Sequence, residues 1–223
     1  MHRLASFEKL LLLFFLFIGL LICCRIYYSG SLLFIFLAWN IFLAWIPFAV
    51  SSFLVKPGHN KKWKQIFLFI VWLLFFPNAL YIITDLIHLD IETDVPKWYD
   101  AILLFASSIV GLMMAFVSLR RIESLLSRSV NKKWLQVIIP AILFLGSFGV
   151  YLGRFLRWNS WDIIRNPLGL LWTIVQRFIF PMEHFRTWGI TGILTVFFYL
   201  LYISIKKLPG YINQATLYKE DQF

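Results

Sequence analysis

Charged residues and cysteines are both scarce in this sequence of 223 residues. Charged side chains make up 14% of the chain, and the cysteines are the adjacent pair Cys23 and Cys24. A soluble domain usually has about 25% charged residues, so the low figure argues against a water-soluble fold. Neighbouring residues on a helix point about 100° apart, so we expect the two cysteines not to pair with each other. They indicate no redox compartment.

Apolar residues are abundant instead, at 61% of the chain. About 20 consecutive apolar residues suffice to cross the hydrocarbon core of a membrane as a helix. Six stretches meet that requirement, and no Pro/Gly/Ser-rich linker or internal repeat divides them. The sequence therefore predicts an all-α polytopic transmembrane helical bundle that forms a single integral membrane domain over residues 1–223. The predicted spans are 10–28, 31–55, 65–84, 101–119, 134–152 and 188–205.

The distribution of lysine and arginine predicts the orientation of these spans. With the N-terminus in the cytoplasm, fourteen of the 21 basic residues fall on the cytoplasmic side. The loop that follows Thr84 on the other side carries five acidic residues and one lysine. This asymmetry follows the positive-inside rule and predicts that both termini are cytoplasmic. Because the basic residues are divided among short loops, the net charge of +10 does not indicate nucleic-acid binding.

One segment on the non-cytoplasmic side departs from that rule. Residues 153–187 contain five arginines and only two acidic residues. Within this segment, residues 168–180 are apolar but too few to span comfortably, and Pro167 and Pro181 flank them. The sequence predicts an interfacial or re-entrant helix there and leaves the choice between the two open.

Three clusters of residues resemble a known family. They are Trp39-Asn40-Ile41-Phe42-Leu43-Ala44-Trp45-Ile46-Pro47, then Phe76-Pro77-Asn78-Ala79-Leu80-Tyr81-Ile82-Ile83-Thr84-Asp85-Leu86-Ile87-His88, and Gly153-Arg154-Phe155-Leu156-Arg157-Trp158-Asn159-Ser160-Trp161-Asp162. With the hydropathy pattern, they resemble the bacterial membrane-protein family catalogued as domain of unknown function 1361. The resemblance covers nearly the whole chain and implies a bacterial membrane location. It implies no activity or substrate.

The polar residues of the second cluster are the first candidate site residues. At 100° per residue on a helix, they fall within an arc of about 120°. Such a stripe should face protein or water, because ionisable groups that face lipid are unfavourable. Two readings remain open: hydrogen bonds that join helices, or a binding site in which Asp85 and His88 bind or transfer protons. The residues are Asn78, Tyr81, Thr84, Asp85 and His88.

The third cluster supplies the remaining candidates. Gly146, Gly149 and Gly153 share a helix face, which favours close helix packing, and Arg157 joins that face if the helix continues. Arg154 and Arg157 either pair with Asp85 or Asp162, or form a fork for phosphate or carboxylate. The other candidate ligand-binding residues of the cluster are Trp158, Asn159, Trp161 and Asp162. Helix rise also places Asn40 near enough to Asn78 to suggest a hydrogen bond between them.

Recognised catalytic and metal motifs are absent from the sequence. There is no His-Glu-x-x-His, P-loop or dinucleotide fingerprint, and the run Asp90-x-Glu92-x-Asp94 lacks the glycine and terminal glutamate of an EF-hand loop. Ser160, His88 and Asp85 could compose a hydrolase triad, but nothing resembles a nucleophile elbow. We therefore expect no metal and no cofactor.

Three functions remain as hypotheses. The first is a polar site on the extracytoplasmic side of the bacterial cytoplasmic membrane, with membrane lipid or an anionic or lipid-linked molecule as partner. The second is a small-solute or proton-coupled transporter, favoured by prolines within the spans but not by any inverted repeat. The third is a scaffold or assembly partner in a cell-envelope complex, whose protein partner the sequence does not indicate.

Overall fold

The computed structural model describes residues 2–56 and 61–220 and is 85% helical. No strand occurs within the described ranges. Six helices are long and apolar enough to cross a membrane, which confirms the predicted fold class. The helices are α1 (His2–Ser29), α2 (Phe36–Val55), α3 (Lys62–Tyr81), α4 (Lys97–Leu126), α5 (Lys132–Leu156), α6 (Asp162–Arg165), α7 (Pro167–Ile179) and α8 (Phe185–Glu220). A 3-10 segment, Ile82–Asp90, continues α3.

Helix α4 lies at the centre of the bundle. It packs against α1, α2, α3 and α5, and against the 3-10 segment, whereas α8 packs mostly on α5 and contacts α4 through Tyr202. In the most apolar stretch of α4, 67% of the residues are buried, compared with 22% in α1 and 17% in α8. The outer faces of the peripheral helices are nevertheless apolar: Leu12, Leu13, Leu16 and Leu20 of α1 are each more than half exposed. Contiguous apolar surface on this scale is typical of helices surrounded by lipid, and indicates a multi-pass membrane protein.

A buried ion pair joins α1 to α4. Arg25 donates from Nε to Asp100 Oδ1 at 2.7 Å and from Nη2 to Oδ2 at 3.1 Å. The guanidinium carbon also lies 4.3 Å from the centre of the Phe34 ring, and Thr93 donates its hydroxyl proton to Asp100 Oδ2 at 3.2 Å. Arg25 and Asp100 are 2% and 4% exposed. A charge at this depth is tolerated because its partner is fixed beside it.

The glycine face of α5 packs closely against another helix, as the sequence predicts, and that helix is α3. An ideal Cβ on Gly149 would lie 2.6 Å from Pro77 Cγ, one on Gly146 would lie 2.9 Å from Leu80 Cδ1, and one on Gly153 would lie 3.3 Å from Tyr81 Cε2. Only hydrogen in place of Cβ allows the two helices to approach this closely at Gly149. Arg157 does not extend the face, because α5 ends at Leu156 and Arg157 has φ 61°, the left-handed conformation that terminates many helices.

The third span changes its helix type where the sequence predicts a continuous helical stripe. From Ile82 the chain follows 3-10 geometry for nine residues, which is long for this type of helix. Because a 3-10 helix has three residues per turn, Asp85 and His88 lie one above the other. Two hydroxyl groups donate to backbone carbonyls at the transition: Thr84 to Tyr81 at 2.6 Å, and Ser108 of α4 to Ile82 at 3.2 Å.

The short apolar helix α7 corresponds to the predicted segment at 168–180. Pro167 occupies its first turn, and the Asn166 side chain accepts a hydrogen bond from the Gly169 backbone nitrogen, which satisfies one of the free donors at the helix start. The Trp188 ring of α8 stacks on Phe148 of α5 at 5.8 Å and meets Phe178 of α7 edge-on at 4.9 Å. These aromatic contacts hold α7 against the bundle. Whether α7 is interfacial or re-entrant stays a prediction.

Candidate functional site

Asp85 and Arg154 form the centre of a polar cluster at one end of the bundle. Arg154 donates from Nη2 to Asp85 Oδ1, and Asn40 donates to Asp85 Oδ2 at 2.8 Å. Arg154 Nε donates to Thr84 Oγ1 at 2.9 Å, and Nη1 lies 3.3 Å from His88 Nε2. Because a guanidinium group only donates, this contact requires His88 Nε2 to be the acceptor. The cluster connects α2, the 3-10 segment and α5.

Of the two alternatives for Arg154, an ion pair or an anion-binding fork, the structure has the ion pair, with Asp85 as its partner. The Arg154 and Asp85 side chains are 13% and 1% exposed, so the pair is shielded from solvent. The guanidinium carbon lies 4.3 Å from the centre of the Tyr81 ring. With its donors directed at Asp85, Thr84 and His88, Arg154 has little capacity left for an external anion. Arg157 is exposed, and no ion pair or side-chain hydrogen bond of Arg157 is found within residues 2–56 and 61–220.

A second polar contact joins α3 to the loop after α5. Asn78 donates from Nδ2 to Ser160 Oγ at 3.0 Å and to the Phe75 carbonyl at 3.2 Å. The prediction of a hydrogen bond between Asn40 and Asn78 is wrong. Asn40 donates to Asp85 instead. The Ser160 hydroxyl accepts from Asn78, while His88 and Asp85 bond to Arg154. These contacts give no support to a hydrolase triad.

The loop after α5 is closed on itself by Asp162. The Asn159 backbone nitrogen donates to Asp162 Oδ2 at 2.7 Å, and the Asp162 backbone nitrogen donates to the Asn159 carbonyl at 3.0 Å. Asp162 thus orders the loop and forms no ion pair with Arg154 or Arg157. The loop places the Trp161 ring 6.3 Å from the Trp39 ring of α2.

A cavity of about 590 Å³ lies between α2, α3, α5, α7 and this loop. Its polar end is formed by side chains that carry amide, hydroxyl or indole groups. Its other end is formed by aliphatic and phenyl side chains. None of the residues that line it, all of them within the described ranges, is charged. The polar-end residues are Trp39, Asn40, Asn78, Tyr81, Trp158, Asn159, Ser160 and Trp161, and the apolar part includes Leu43, Phe69, Ile70, Leu73, Leu74, Phe144, Leu145, Phe148, Leu170, Ile174 and Phe178.

The apolar part of the cavity opens on the side of the bundle. Ile70, Leu145 and Phe178 line it and are exposed by 57%, 50% and 59%. Along α3, the distance from Ile70 to Tyr81 corresponds to a length of about 17 Å at the rise of an α-helix. The cavity is therefore an elongated groove, and in a membrane its opening would face the acyl chains of the lipid.

The structure divides the predicted site residues into three groups. Asn78, Tyr81, Trp158, Asn159 and Trp161 line the cavity. Thr84, Asp85, His88 and Arg154 form the ion-pair cluster, which contacts the cavity wall through Tyr81 and Asn40. Arg157 and Asp162 belong to neither group.

Sequence reasoning missed two residues that line the polar end of the cavity. Ser160 and Asn40 were not among the predicted ligand-binding residues, although both lie in the clusters that carry the family resemblance. The apolar lining could not be identified, because its leucines and phenylalanines have the same local sequence pattern as residues that face lipid. Within the described ranges, no three His, Cys, Asp or Glu side chains come together as metal ligands.

Comparison with known proteins gives one family match. The family model described as "Protein of unknown function (DUF1361)" matches residues 39–202, which include all three sequence clusters and the whole cavity. No curated protein and no solved structure matches the chain.

Proposed function

The chain belongs to the DUF1361 family, and for this member we propose that the cavity binds a membrane lipid or a lipid-linked molecule. The polar group of the ligand would lie at the end formed by Asn78, Ser160 and the tryptophans, and its hydrocarbon chain along the apolar groove. The observation that carries the proposal is the division of a single cavity into a polar end and a laterally open apolar part. A small hydrophilic solute would match only the polar end.

The polar end has the chemistry to hold a headgroup. Asn159 and Ser160 offer donors and acceptors to hydroxyl, ester or phosphate oxygens. Trp158 and Trp161 provide apolar ring faces with an N–H donor, a combination suited to the membrane interface or to a sugar ring. Arg157 precedes Trp158 in the same loop and is exposed, so it is the cation that an anionic headgroup would meet. An uncharged headgroup would use the amides and hydroxyls alone.

The ion-pair cluster has a positioning role in this proposal. Arg154 lies against the outer edge of the site through the Tyr81 ring, and Asp85 fixes the amide of Asn40, so both cavity residues are held by the pair. Neither Asp85 nor His88 lines the cavity. Proton transfer by these two residues to a bound ligand is therefore less well supported than orientation of the cavity wall.

Charge distribution supports placing this cavity on the extracytoplasmic side of the membrane. The end of the bundle opposite Asp85 carries the basic residues Lys62, Arg120, Arg121, Lys133 and Lys206. Basic residues concentrate on the cytoplasmic side of membrane proteins, so both termini would be cytoplasmic.

Binding is better supported than transport. A transported solute would have to pass from the cavity to the other end of the bundle. The neighbouring core is filled by Trp72, Phe76 and Met114, all fully buried. Trp72 is further fixed by a hydrogen bond to Ser118 Oγ at 3.2 Å. Close packing of this kind favours a cavity that has no passage to the other end of the bundle.

Native mass spectrometry of the protein purified in mild detergent tests the proposal through the lipid that remains bound. Leu74→Trp would fill the apolar part of the cavity and is expected to abolish or strongly reduce retention. Leu16→Trp is the matched control, because Leu16 is 62% exposed on α1 and lies away from the cavity. Equal retention in both variants and the wild type would refute the proposal.

The polar end is tested by a second pair of variants. Ser160→Ala removes the hydroxyl that Asn78 contacts, and should weaken retention of every ligand that uses this end. Arg157→Gln should weaken retention of anionic lipids and leave neutral lipids unchanged. If Ser160→Ala and Arg157→Gln both retained lipid as the wild type does, the headgroup would not lie where we place it.

A further inference from the structure

A second cavity lies at the other end of the bundle. It has a volume of about 390 Å³ and is formed where α2 and α4 end and α5 begins. Unlike the first cavity, it is lined by charged side chains. The lining residues are Val55, Arg120, Arg121, Glu123, Ser124, Ser127 and Leu135.

Arg121 is a half-buried cation in this cavity that lacks a carboxylate partner among the described residues. Its Nη1 donates to the Phe48 carbonyl at 3.0 Å and to Ser51 Oγ at 3.3 Å, and its guanidinium carbon lies 4.4 Å from the centre of the Phe48 ring. Glu8 of α1 attracts it electrostatically, but the two form no ion pair. These contacts hold the guanidinium in place and do not neutralise it.

Glu123 does not supply the missing negative charge. Its Oε2 accepts from Arg120 Nη1 at 2.6 Å and from the Tyr202 hydroxyl at 2.5 Å, and its Oε1 accepts from Lys206 Nζ at 2.5 Å. Both oxygens are therefore occupied by other donors. Arg120, Glu123 and Lys206 together keep one positive charge, and Arg121 adds a second.

We propose that this cavity binds a phosphate group through Arg120 and Arg121, with the Ser124 hydroxyl as a further donor, since the Ser127 hydroxyl already donates to the Ser124 carbonyl at 2.9 Å. Paired guanidinium groups suit the several acceptor oxygens of a phosphate. The Arg120 side chain is 58% exposed, so its remaining nitrogens are accessible. The site is independent of the proposed lipid cavity, because the two cavities share no lining residue and about 18 Å of α2 separates Leu43 of the first from Val55 of the second.

The phosphate could belong to an anionic lipid or be a free ion. The cavity lies at the ends of spanning helices, at the depth where lipid headgroups are found, and Arg128, Lys132 and Lys133 add further positive charge nearby. Basic residues at this depth attract anionic lipid headgroups. The chemistry of recognition is the same for both sources, so the experiment must separate them.

The test introduces the same negative charge at two nearby serines. Ser124→Asp places a carboxylate in the cavity, whereas Ser129→Asp places one on the exposed chain just after α4, outside the lining. Inorganic phosphate is titrated against the detergent-purified proteins. In parallel, nanodiscs that contain phosphatidylglycerol or only phosphatidylcholine are analysed for retained lipid. Thermal unfolding without phosphate verifies that each variant folds.

For a free-ion site, inorganic phosphate should bind the wild type and Ser129→Asp equally, and bind Ser124→Asp about tenfold more weakly, because the introduced carboxylate repels the phosphate and replaces the hydroxyl donor. For a lipid site, phosphatidylglycerol should be retained by the wild type and Ser129→Asp and lost from Ser124→Asp, with no effect of inorganic phosphate. Arg121→Gln should reproduce the loss, and Arg121→Lys should restore part of it. If neither source bound the wild type, or if Ser124→Asp bound both sources as the wild type does, the proposal would be wrong.

Discussion

Asp85 accepts hydrogen bonds from two residues that are far apart in the sequence, Arg154 through one oxygen and Asn40 through the other. This arrangement ties α2, the 3-10 segment and α5 together at a single carboxylate. Removal of one partner of a shielded ion pair leaves the other charge without compensation, which is costlier than loss of both.

Asp85→Asn should therefore lower the free energy of unfolding by about 3–5 kcal/mol, because Arg154 keeps its charge in a shielded position. Reversible unfolding in mixed micelles measures the effect. Asp90→Asn is the control, since Asp90 is exposed at the end of the same 3-10 segment, and should change stability by at most about 0.5 kcal/mol. Equal stability of the two variants would contradict the assigned pair.

The buried pair of Arg25 and Asp100 gives a second prediction. Arg25→Met and Asp100→Asn should each destabilise the protein strongly, since each leaves an unpaired charge. The double variant should lose less than the sum of the two, with a coupling of about 0.5–3 kcal/mol in a double-mutant cycle. Additive losses would mean that the two side chains do not interact in the folded protein.

Gly149→Ala should destabilise the contact between α3 and α5. The added methyl group would lie 2.6 Å from Pro77 Cγ, and relief of such an overlap costs about 1–3 kcal/mol. Gly189→Ala is the matched control in α8, where no atom lies within 4 Å of the added carbon. Alanine is the better helix former, so the control should be neutral or slightly stabilising. Thermal unfolding compares the two, and the reverse order of stability would contradict this packing.

Cysteine labelling tests the proposed orientation. In a background with Cys23→Ser and Cys24→Ser, single cysteines replace the exposed residues Asp94, Arg165 and Ser129. A membrane-impermeant maleimide applied to intact cells should label the cysteines at positions 94 and 165, and should label the one at 129 only after lysis. The reverse pattern would invert the proposed orientation. If the cysteines at 94 and 165 were labelled from opposite sides, the outer ends of the third and fifth spans would lie on different sides of the membrane. They could then not border the same cavity.

The parts of the fold that depend on local composition could be predicted from the sequence. A lipid environment requires long apolar helices, so all six spans were recognisable, although α4 continues to Leu126, beyond the predicted end at 119. The glycine spacing likewise predicted the packing face of α5. The cluster at Asp85 was expected to face protein or water, because ionisable groups in a span avoid lipid.

Contacts between distant residues could not be predicted in the same way. Nothing near Arg25 in the sequence indicates Asp100 as its partner, and helix rise alone suggested the wrong partner for Asn40. The change to 3-10 geometry at Ile82 depends in part on Ser108 of another helix. The cavity arises from how α2, α3, α5 and α7 are arranged, so its apolar lining had no signal in the sequence.

The separation of Arg25 from Asp100 has a consequence for biosynthesis. Asp100 is synthesised 75 residues after Arg25. At ordinary rates of translation this interval is roughly 4–15 s. During that time α1 carries a cation near its end, and no carboxylate from α4 is present to neutralise it. The arginine must then remain at the water-exposed edge of the bilayer or in the insertion machinery. The first helix can therefore reach its final packed position only after the fourth has been made.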